Sequence, residues 1–332
     1  MPNFVTNAIL EPMIFNDIHK AKAILEKGEV VAIPTETVYG LAANIFDTEA
    51  LKKIYQIKQR PAQNPLIVHI GQTKWLEVIC SEISTKAYQL MEAFWPGPLT
   101  IILPKTDKIN AIVSANQTTV GVRMPAHAKT LELLQNLDFP VAAPSANPYT
   151  KISPTTAQMV DQFYQGKLPI LEGGACKTGL ESTIVALENN QVICLRLGAI
   201  SLEQLEEVLG EPVSLKNNGQ TQMIAPGLAK KHYAPNTPLV VLKQMNEIPI
   251  ELTNKKVARI LLSGKKEHAN DFVLSTEGSL QQMAENFYAT LFAVDQMNFD
   301  VILIEKFPNT QLGRALNDRL DRAKFQQELS IL

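Results

Sequence analysis

Short apolar runs alternate with segments of helical periodicity along the first two-thirds of the chain. The runs are rich in β-branched residues and bounded by Pro or Gly, a pattern that predicts strands. The predicted strands span residues 30–33, 66–70, 99–103, 120–124, 141–143, 182–187 and 191–196. Apolar residues spaced three and four apart predict helices between them. The predicted helices span residues 16–27, 48–60, 84–94 and 155–165, with another from residue 201. The alternation predicts a mixed α/β domain over residues 1–210.

A second unit follows a stretch with little periodicity. Residues 211–237 are rich in Gly, Pro and Asn and are typical of a linker, either a passive tether or a segment with a role of its own. The Lys-Lys-His-Tyr cluster at residues 230–233 is unusual for a simple spacer. Beyond it, predicted strands at 239–242, 257–262 and 301–304 alternate with helices at 279–297 and 313–329. This pattern predicts a small Rossmann-like domain over residues 238–332.

Composition narrows the class of protein. Lys and Arg number 31 against 33 Asp and Glu, a net charge of −2, whereas proteins that grip nucleic acid through its phosphates are usually basic. Three scattered cysteines and five unclustered histidines predict reduced thiols and no structural metal. No apolar run reaches the roughly 18 residues of a membrane span, and the N-terminus lacks a signal-peptide pattern. We therefore expect a cytoplasmic protein.

Polar side chains cluster where predicted strands and helices end. Thr35 and Thr37 follow the first strand, where they suit either a turn or the binding of a small polar molecule. Lys58 and Arg60 stand at the end of a predicted helix, where Arg60 is expected to be exposed. There they either stabilise the helix C-terminus or bind phosphate, for which the Arg fork is suited. His69 lies within a strand, where a core histidine is the alternative to a ligand-binding one.

Two further segments are candidates for ligand contacts. Ser145 and Asn147 follow a short strand and face the same way if the chain stays extended. The glycine-rich residues 173–179 are not a Walker phosphate loop, because Cys rather than Gly precedes the Lys and a strand pattern follows. They form either a plain turn or a backbone anion nest.

Read in order, the sequence blocks PTETVYGL, KQR with NPL-VH, GPLT, VGVRMP, PSAN, GLEST, RLGAI and APG with HYAP resemble the threonylcarbamoyl-AMP synthases. The resemblance is to the long, two-domain form of this YrdC-type family and covers essentially the whole chain. It implies a twisted, mostly parallel YrdC-like sheet with flanking helices over residues 1–210, around a positively charged cavity. Residues 211–237 would be a lid, and a small Rossmann-like domain would follow.

The resemblance also implies an activity. L-threonine, bicarbonate or CO2, and ATP, with Mg2+ expected, would give threonylcarbamoyl-AMP and pyrophosphate. The product would pass to the machinery that forms N6-threonylcarbamoyladenosine in tRNA, without strong tRNA binding by this chain. A non-catalytic RNA-binding module is the alternative, disfavoured by the acidic balance. A second alternative is a carbamoyl-transfer enzyme of hydrogenase maturation. It is disfavoured because it would require acylphosphatase and zinc-finger segments, which this sequence does not show.

Site residues are carried over motif by motif. The catalytic residues implied are Lys58 and Arg60. The residues implied to bind threonine or its carbamate are Thr37, His69, Arg123, Ala143, Ser145 and Ser182. The residues implied to bind ATP are Lys58, Arg60, Asn64, Thr119, Ser145, Asn147, Ser153, Arg196, His232 and Tyr233. No metal-ligating residue is predicted.

Overall fold

The computed structural model describes residues 13–216, 232–245, 252 and 254–324, and its described strands form two sheets. The strands of the larger sheet are β1 (Ile14–Phe15), β2 (Val31–Ile33), β3 (Gly40–Asn44), β4 (Ile67–His69), β5 (Leu99–Pro104), β6 (Thr119–Arg123), β7 (Val141–Ala142), β8 (Ile170–Leu171), β9 (Thr183–Glu188), β10 (Gln191–Arg196) and β11 (Ser214–Leu215). The helices of this part are α1 (Ile18–Glu26), α2 (Thr48–Lys58), α3 (Leu76–Ile79), α4 (Thr85–Phe94), α5 (Ala111–Ser114), α6 (Ala128–Gln135), α7 (Ala157–Tyr164) and α8 (Leu202–Leu209).

The strand order of the larger sheet is β1-β8-β2-β3-β7-β4-β6-β5-β9-β10-β11. The pairs β2–β3, β3–β7 and β7–β4 are antiparallel, whereas the pairs β4–β6 and β5–β9 are parallel. The smaller sheet contains β12 (Leu239–Leu242), β13 (Val257–Ser263), β14 (Asp271–Ser275) and β15 (Val301–Glu305). Its order is β12-β15-β13-β14 with parallel pairs, and it packs with α9 (Leu280–Asp295) and α10 (Gln311–Ala323). The predicted α/β class is confirmed.

Local sequence explains where the helices begin and end. The Asp17 carboxylate caps α1 by accepting the His19 N–H, one residue after the predicted start of this helix. Asp47 caps α2 in the same way, accepting two backbone N–H groups of the first turn. This helix ends at Lys58 because Gln59 takes a left-handed conformation with φ of 52°, two residues before a proline. The predicted end of the last helix, at residue 329, lies outside the described residues.

The N-terminal and C-terminal units share a hydrophobic core. Val38, Ile152, Met159 and Leu180 of the first unit are buried in one cluster with side chains of the small sheet, α9 and α10. The proposed boundaries at residues 210 and 238 stay a prediction, and β11 lies between them. Most of the intervening segment, residues 217–231, lies outside the described residues. Truncation after residue 210 would therefore expose apolar side chains of the first unit.

In the part of the chain that the structure describes, no helix combines the length and the apolarity that crossing a membrane would require.

Candidate active site

Ten of the predicted site residues line one polar cavity. It forms where β4 and β6 end side by side, since His69 is paired in register with Arg123. The loops after β2 and β7, the residues flanking β9 and β10, and the segment beginning at residue 232 supply the other walls. The lining residues are Thr37, Val38, Arg60, Ile67, His69, Arg123, Ala143, Pro144, Ser145, Glu181, Ser182, Arg196, His232 and Tyr233.

Arg123 supplies a fixed cation at one end of this cavity. Its Nε donates to the Gly97 carbonyl at 3.2 Å, and its Nη2 donates to the Glu36 carboxylate at 2.5 Å and to the Thr37 hydroxyl at 3.0 Å. The Arg123 side chain is only 5% exposed. A guanidinium has five N–H donors, so further donors remain for a ligand carboxylate. Arg123 is therefore oriented in advance for an anionic small molecule.

Ser182 and Arg196 form a second polar wall. The guanidinium of Arg196 donates to the Ser182 carbonyl at 3.1 and 2.8 Å and to the Ser182 hydroxyl at 3.1 Å. The same hydroxyl lies 2.8 Å from the hydroxyl of Thr100. Both residues are buried, so these bonds hold a second cation and a hydroxyl group in fixed positions.

Lys58 is not among the residues that line the cavity, and it supports the loop after β7 instead. Nζ donates to the carbonyls of Ser145 and Asn147, both at 2.5 Å. The side chain is 1% exposed, and burial, followed by the charge of Arg60, lowers the lysine pKa well below its usual value. Lys58 thus fixes the loop after β7 and places positive potential beneath it.

The sequence-based expectation that Arg60 stands at an exposed helix end is wrong. The residue is 8% exposed and lines the cavity. Its guanidinium donates to the carbonyls of Asn64 at 3.4 Å and Pro65 at 2.9 Å, so residues 61–65 fold back over the helix end. Burial lowers the arginine pKa. Arg60 is thereby turned toward the cavity rather than toward solvent.

Asn64 contacts Arg60 through its carbonyl, but neither Asn64 nor Thr119 is among the residues that line the cavity. Thr119 begins β6, two residues before Gly121, which pairs with Ile67 of β4. Asn64 donates from Nδ2 to the Tyr149 hydroxyl at 3.0 Å. Asn64 thereby links Arg60 to Tyr149.

Asn147 and Ser153 are both buried, and neither is among the residues that line the cavity. The Asn147 amide donates to the carbonyls of Pro148 and Lys151 at 2.9 and 2.8 Å. The Ser153 hydroxyl donates to the Glu181 carboxylate at 2.6 Å. Their observed contacts shape the loops around the cavity.

Unpartnered polar atoms concentrate at this site. Among the described residues, seven buried side-chain nitrogen or oxygen atoms have no hydrogen-bond partner. Four of the seven are Asn64 Oδ1, Asn147 Oδ1, His232 Nδ1 and the Tyr233 hydroxyl. Each such atom costs about 1–3 kcal/mol unless something pairs with it. The concentration is typical of a site prepared for a polar ligand.

Residues 232–237 are held against the first unit. Ala234 donates its N–H to the Thr150 carbonyl at 2.9 Å, and the His232 ring packs edge-on against Tyr149 and Tyr233. Tyr233 is 1% exposed and has a left-handed φ of 62°. This segment therefore covers one side of the cavity, which is the position a lid requires.

Two acidic residues at the cavity were not predicted as site residues. Glu36 pairs with Arg123, and Glu181 accepts hydrogen bonds from Ser153, Tyr288 and Arg319. Both belong to conspicuous motifs, PTET and GLEST, but one sequence does not reveal that cations will surround them. No group of three or more potential metal ligands occurs among the described residues. Both carboxylates are engaged by donors of the protein itself.

His69 makes folding stability depend on pH. Burial, with the Arg123 charge adding to it, lowers the histidine pKa from 6.5 to about 3. Between these values the unfolded chain binds a proton that the folded chain does not. Above pH 6.5 His69 is neutral in both states and does not lower the free energy of unfolding. As pH falls from 6.5 toward 3, the unfolded state gains protonated His69 and the free energy of unfolding decreases. At about pH 5 the loss from this residue is roughly 2 kcal/mol.

We expect His69→Gln to remove this contribution. The free energy of unfolding of this variant is measured with urea at two pH values, roughly 5 and 7.5. Its change between the two pH values should be smaller than the wild-type change by about 2 kcal/mol. His268→Gln, at an exposed position, should keep the wild-type difference. An unchanged difference in His69→Gln would rule out protonation of His69 as a source of acid sensitivity.

Comparison with known proteins adds the family. Residues 23–198 match the Sua5, YciO and YrdC family model, described as telomere recombination, and residues 200–324 match the C-terminal domain model of threonylcarbamoyl-AMP synthase. The chain is 37% identical over 318 residues to the threonylcarbamoyl-AMP synthase of Pyrococcus abyssi, covering 92% of this chain and 93% of that protein. It is 39% identical over 320 residues to the Bacillus subtilis enzyme of the same name, covering 92% of each.

A solved structure is similar over nearly the same length. The crystal structure of P. abyssi Sua5 complexed with L-threonine matches with a TM-score of 0.86 at 37% identity. The match covers 93% of this chain and 97% of that one.

Proposed function

The chain belongs to the threonylcarbamoyl-AMP synthase family, and we propose how the cavity makes threonylcarbamoyl-AMP from L-threonine, bicarbonate and ATP. The observation that carries the proposal is the concentration of unpartnered buried polar atoms around three buried cations. The cations are Lys58, Arg60 and Arg196. An anionic ligand with many hydrogen-bonding groups satisfies both features, and ATP is such a ligand.

Threonine would bind at the Arg123 end. The guanidinium would pair with the carboxylate of threonine. Thr37 and Ser182 line the same cavity, and their hydroxyl groups would hold the amine or the side-chain hydroxyl of threonine. His69 is neutral at physiological pH, since its pKa is about 3, so it does not add charge beside Arg123. The P. abyssi protein of similar fold has been solved with L-threonine, which supports this assignment.

The phosphates of ATP would lie toward Arg60 and Arg196. Asn64, Thr119 and Asn147 would contact the remainder of the nucleotide. His232 and Tyr233, with their unpartnered Nδ1 and hydroxyl groups, would close over it. Lys58 would act through the loop it fixes and through its charge.

The reaction needs positioning more than a protein nucleophile. The neutral threonine amine combines with CO2, which bicarbonate supplies by losing hydroxide, and releases a proton to give a carbamate. A carbamate oxygen then attacks the α-phosphorus of ATP, and the bond to the leaving pyrophosphate breaks. Arginine and lysine stabilise the charge that develops on the phosphates. The three cysteines are buried and their thiol pKa values are raised to about 12, which disfavours a thiolate nucleophile.

Mg2+ would enter as part of the substrate, bound to the phosphates of ATP. Magnesium commonly keeps several waters and uses substrate phosphates rather than a protein cage. This fits a cavity whose carboxylates are already engaged. Closure by residues 232–237 would protect the carbamate and the mixed anhydride from hydrolysis.

The product would be passed on to a tRNA threonylcarbamoyl-transfer machinery. A non-catalytic RNA-binding role is not favoured, because the chain is acidic overall and its closely similar relatives are named synthases.

The test is pyrophosphate release from ATP by the purified chain, with L-threonine or bicarbonate omitted in turn. We expect release only when both are present. Release that continues without threonine, or no release in the complete mixture, would overturn the proposal.

A further inference from the structure

Two helices of the C-terminal unit pack directly on the GLEST segment of the cavity wall. Gly179 shows how close the approach is: a Cβ at this residue would lie 2.2 Å from the carbonyl oxygen of Ala284 in α9. Gly179 also has a φ of +70°, which only glycine adopts readily. The backbone of α9 therefore lies against the turn that leads to Glu181 and Ser182.

Arg319 of α10 is fully buried and links two parts of that wall. Its Nε donates to the Glu181 carboxylate at 2.9 Å, and its Nη2 donates to the Leu197 carbonyl at 2.7 Å. Glu181 immediately precedes Ser182, and Leu197 immediately follows Arg196. One side chain from the C-terminal unit thus ties together the two segments that place Ser182 and Arg196 in the cavity.

The Glu181 carboxylate is saturated by its partners. Oε1 accepts from Ser153 at 2.6 Å and from Tyr288 at 3.1 Å, and Oε2 accepts from Tyr288 at 3.2 Å and from Arg319. A carboxylate held in this way does not suit the role of a general base or metal ligand. It suits that of a fixed anion, which balances the buried cations around it and orients the Ser153 hydroxyl.

We propose that Arg319 is a positioning residue of the synthase, through which the C-terminal unit fixes the Ser182 and Arg196 wall of the substrate cavity by way of Glu181 and Leu197. This inference rests on the proposed function, because it assigns the wall to ATP and threonine. The C-terminal unit is then a structural part of the active site. The geometry that carries the inference is the pair of hydrogen bonds from one buried guanidinium to residues adjacent to two predicted ligand contacts.

The network has a distinctive pH signature. The groups that face Glu181 from the surrounding elements are Ser153, Arg196, His232, Tyr233, Tyr288 and Arg319. Burial alone would raise the Glu181 pKa, but Arg319 and then Arg196 outweigh burial and lower it to about 2. Without the Arg319 charge, less opposes the upward effect of burial on the Glu181 pKa. The Glu181 pKa then rises, and protonation at moderately acidic pH breaks its hydrogen bonds.

The experiment compares Arg319→Met and Arg319→Lys with wild type by steady-state pyrophosphate release at a series of pH values, and by calorimetric titration with ATP. In Arg319→Met we expect the ATP Kd and KM to rise by about tenfold and an acid limb to appear in kcat/KM. Arg319→Lys should recover most of the affinity, because it keeps a cation beside Glu181. Arg314→Met on the same helix, which breaks a partly exposed Arg–Glu pair, is the matched control and should resemble wild type.

A second pair of variants keeps the test decisive if Arg319→Met folds poorly. Tyr288→Phe removes one hydroxyl from Glu181 and should shift ATP affinity in the same direction by a smaller factor. Arg319→Met combined with Glu181→Gln should show a weaker acid limb than Arg319→Met alone, because Glu181 no longer titrates and only Asp318, which Arg319 also binds, still loses its partner. An activity loss that merely follows the folded fraction, with wild-type ATP Kd and no acid limb, would overturn the inference. If wild type binds ATP but releases no pyrophosphate with threonine and bicarbonate, the proposed function fails, and the Kd comparison still decides the role of Arg319.

Discussion

Arg123→Gln is expected to raise the KM for L-threonine by about 10- to 100-fold while the KM for ATP changes little. The substitution removes a charge-assisted hydrogen bond to the substrate carboxylate, which is worth about 1.5–3 kcal/mol. The side chain contacts Thr37 and belongs to a residue paired in register with His69, whereas the phosphates are assigned to Arg60 and Arg196. Steady-state kinetics with each substrate varied in turn measures both constants.

Two controls separate this effect from the loss of a buried ion pair. The double variant Glu36→Gln with Arg123→Gln removes the carboxylate that the single variant leaves unpaired, and its KM for threonine should stay high. Arg259→Gln breaks a comparable ion pair with Asp271 in the small sheet, far along the chain from the cavity, and should leave both KM values unchanged. An equal rise of both KM values in Arg123→Gln would contradict the threonine assignment.

Lys58→Met is expected to lower kcat by roughly 100- to 1,000-fold, the range found when one preorganised electrostatic contact is removed. Methionine has a similar length, so the packing is largely kept. The change removes the donor that holds the Ser145 and Asn147 carbonyls and the positive charge behind the loop. Single-turnover pyrophosphate formation at saturating substrates measures the effect.

Lys52→Met on the same helix is the matched control. Its side chain is 50% exposed and pairs with Glu49 on the surface, so kcat should equal that of wild type. Circular dichroism and thermal unfolding of both variants would show whether they are folded. A folded Lys58→Met variant with kcat within a few-fold of wild type would remove Lys58 from the mechanism.

The sequence predicted the elements whose signals are local. The helix that ends before Pro61 and the helix predicted from residue 201 both appear in the structure, because each depends on neighbouring residues, and Ser201 forms a capping box with Gln204. Strands β3 and β14 were not predicted, since GLAAN has no alternation and Asp271–Ser275 is bordered by a polar loop. Helix α6 also escaped prediction, although its Leu133 and Leu134 are buried. Their formation depends on packing that the local pattern does not show.

The motifs predicted which residues form the site. They did not predict which of these side chains are buried or which residues contact them. Ten residues chosen from separate blocks meet at one cavity, yet the same reasoning placed Arg60 in solvent. Its burial depends on residues 61–65 folding back, which follows from hydrogen bonds to carbonyls rather than from side-chain identity. Arg319 had no sequence signal as a cavity residue. It reaches Glu181 across 138 positions, a contact that only the packing of the two units creates.

The most direct measurement is the mass of the nucleotide product formed with 13C-bicarbonate and 15N-threonine, quenched rapidly and separated by liquid chromatography. The proposed mechanism predicts an AMP adduct that carries both labels and appears with one equivalent of pyrophosphate. Conversion of ATP to ADP and phosphate, or to AMP without either label in a nucleotide product, would contradict the central claim.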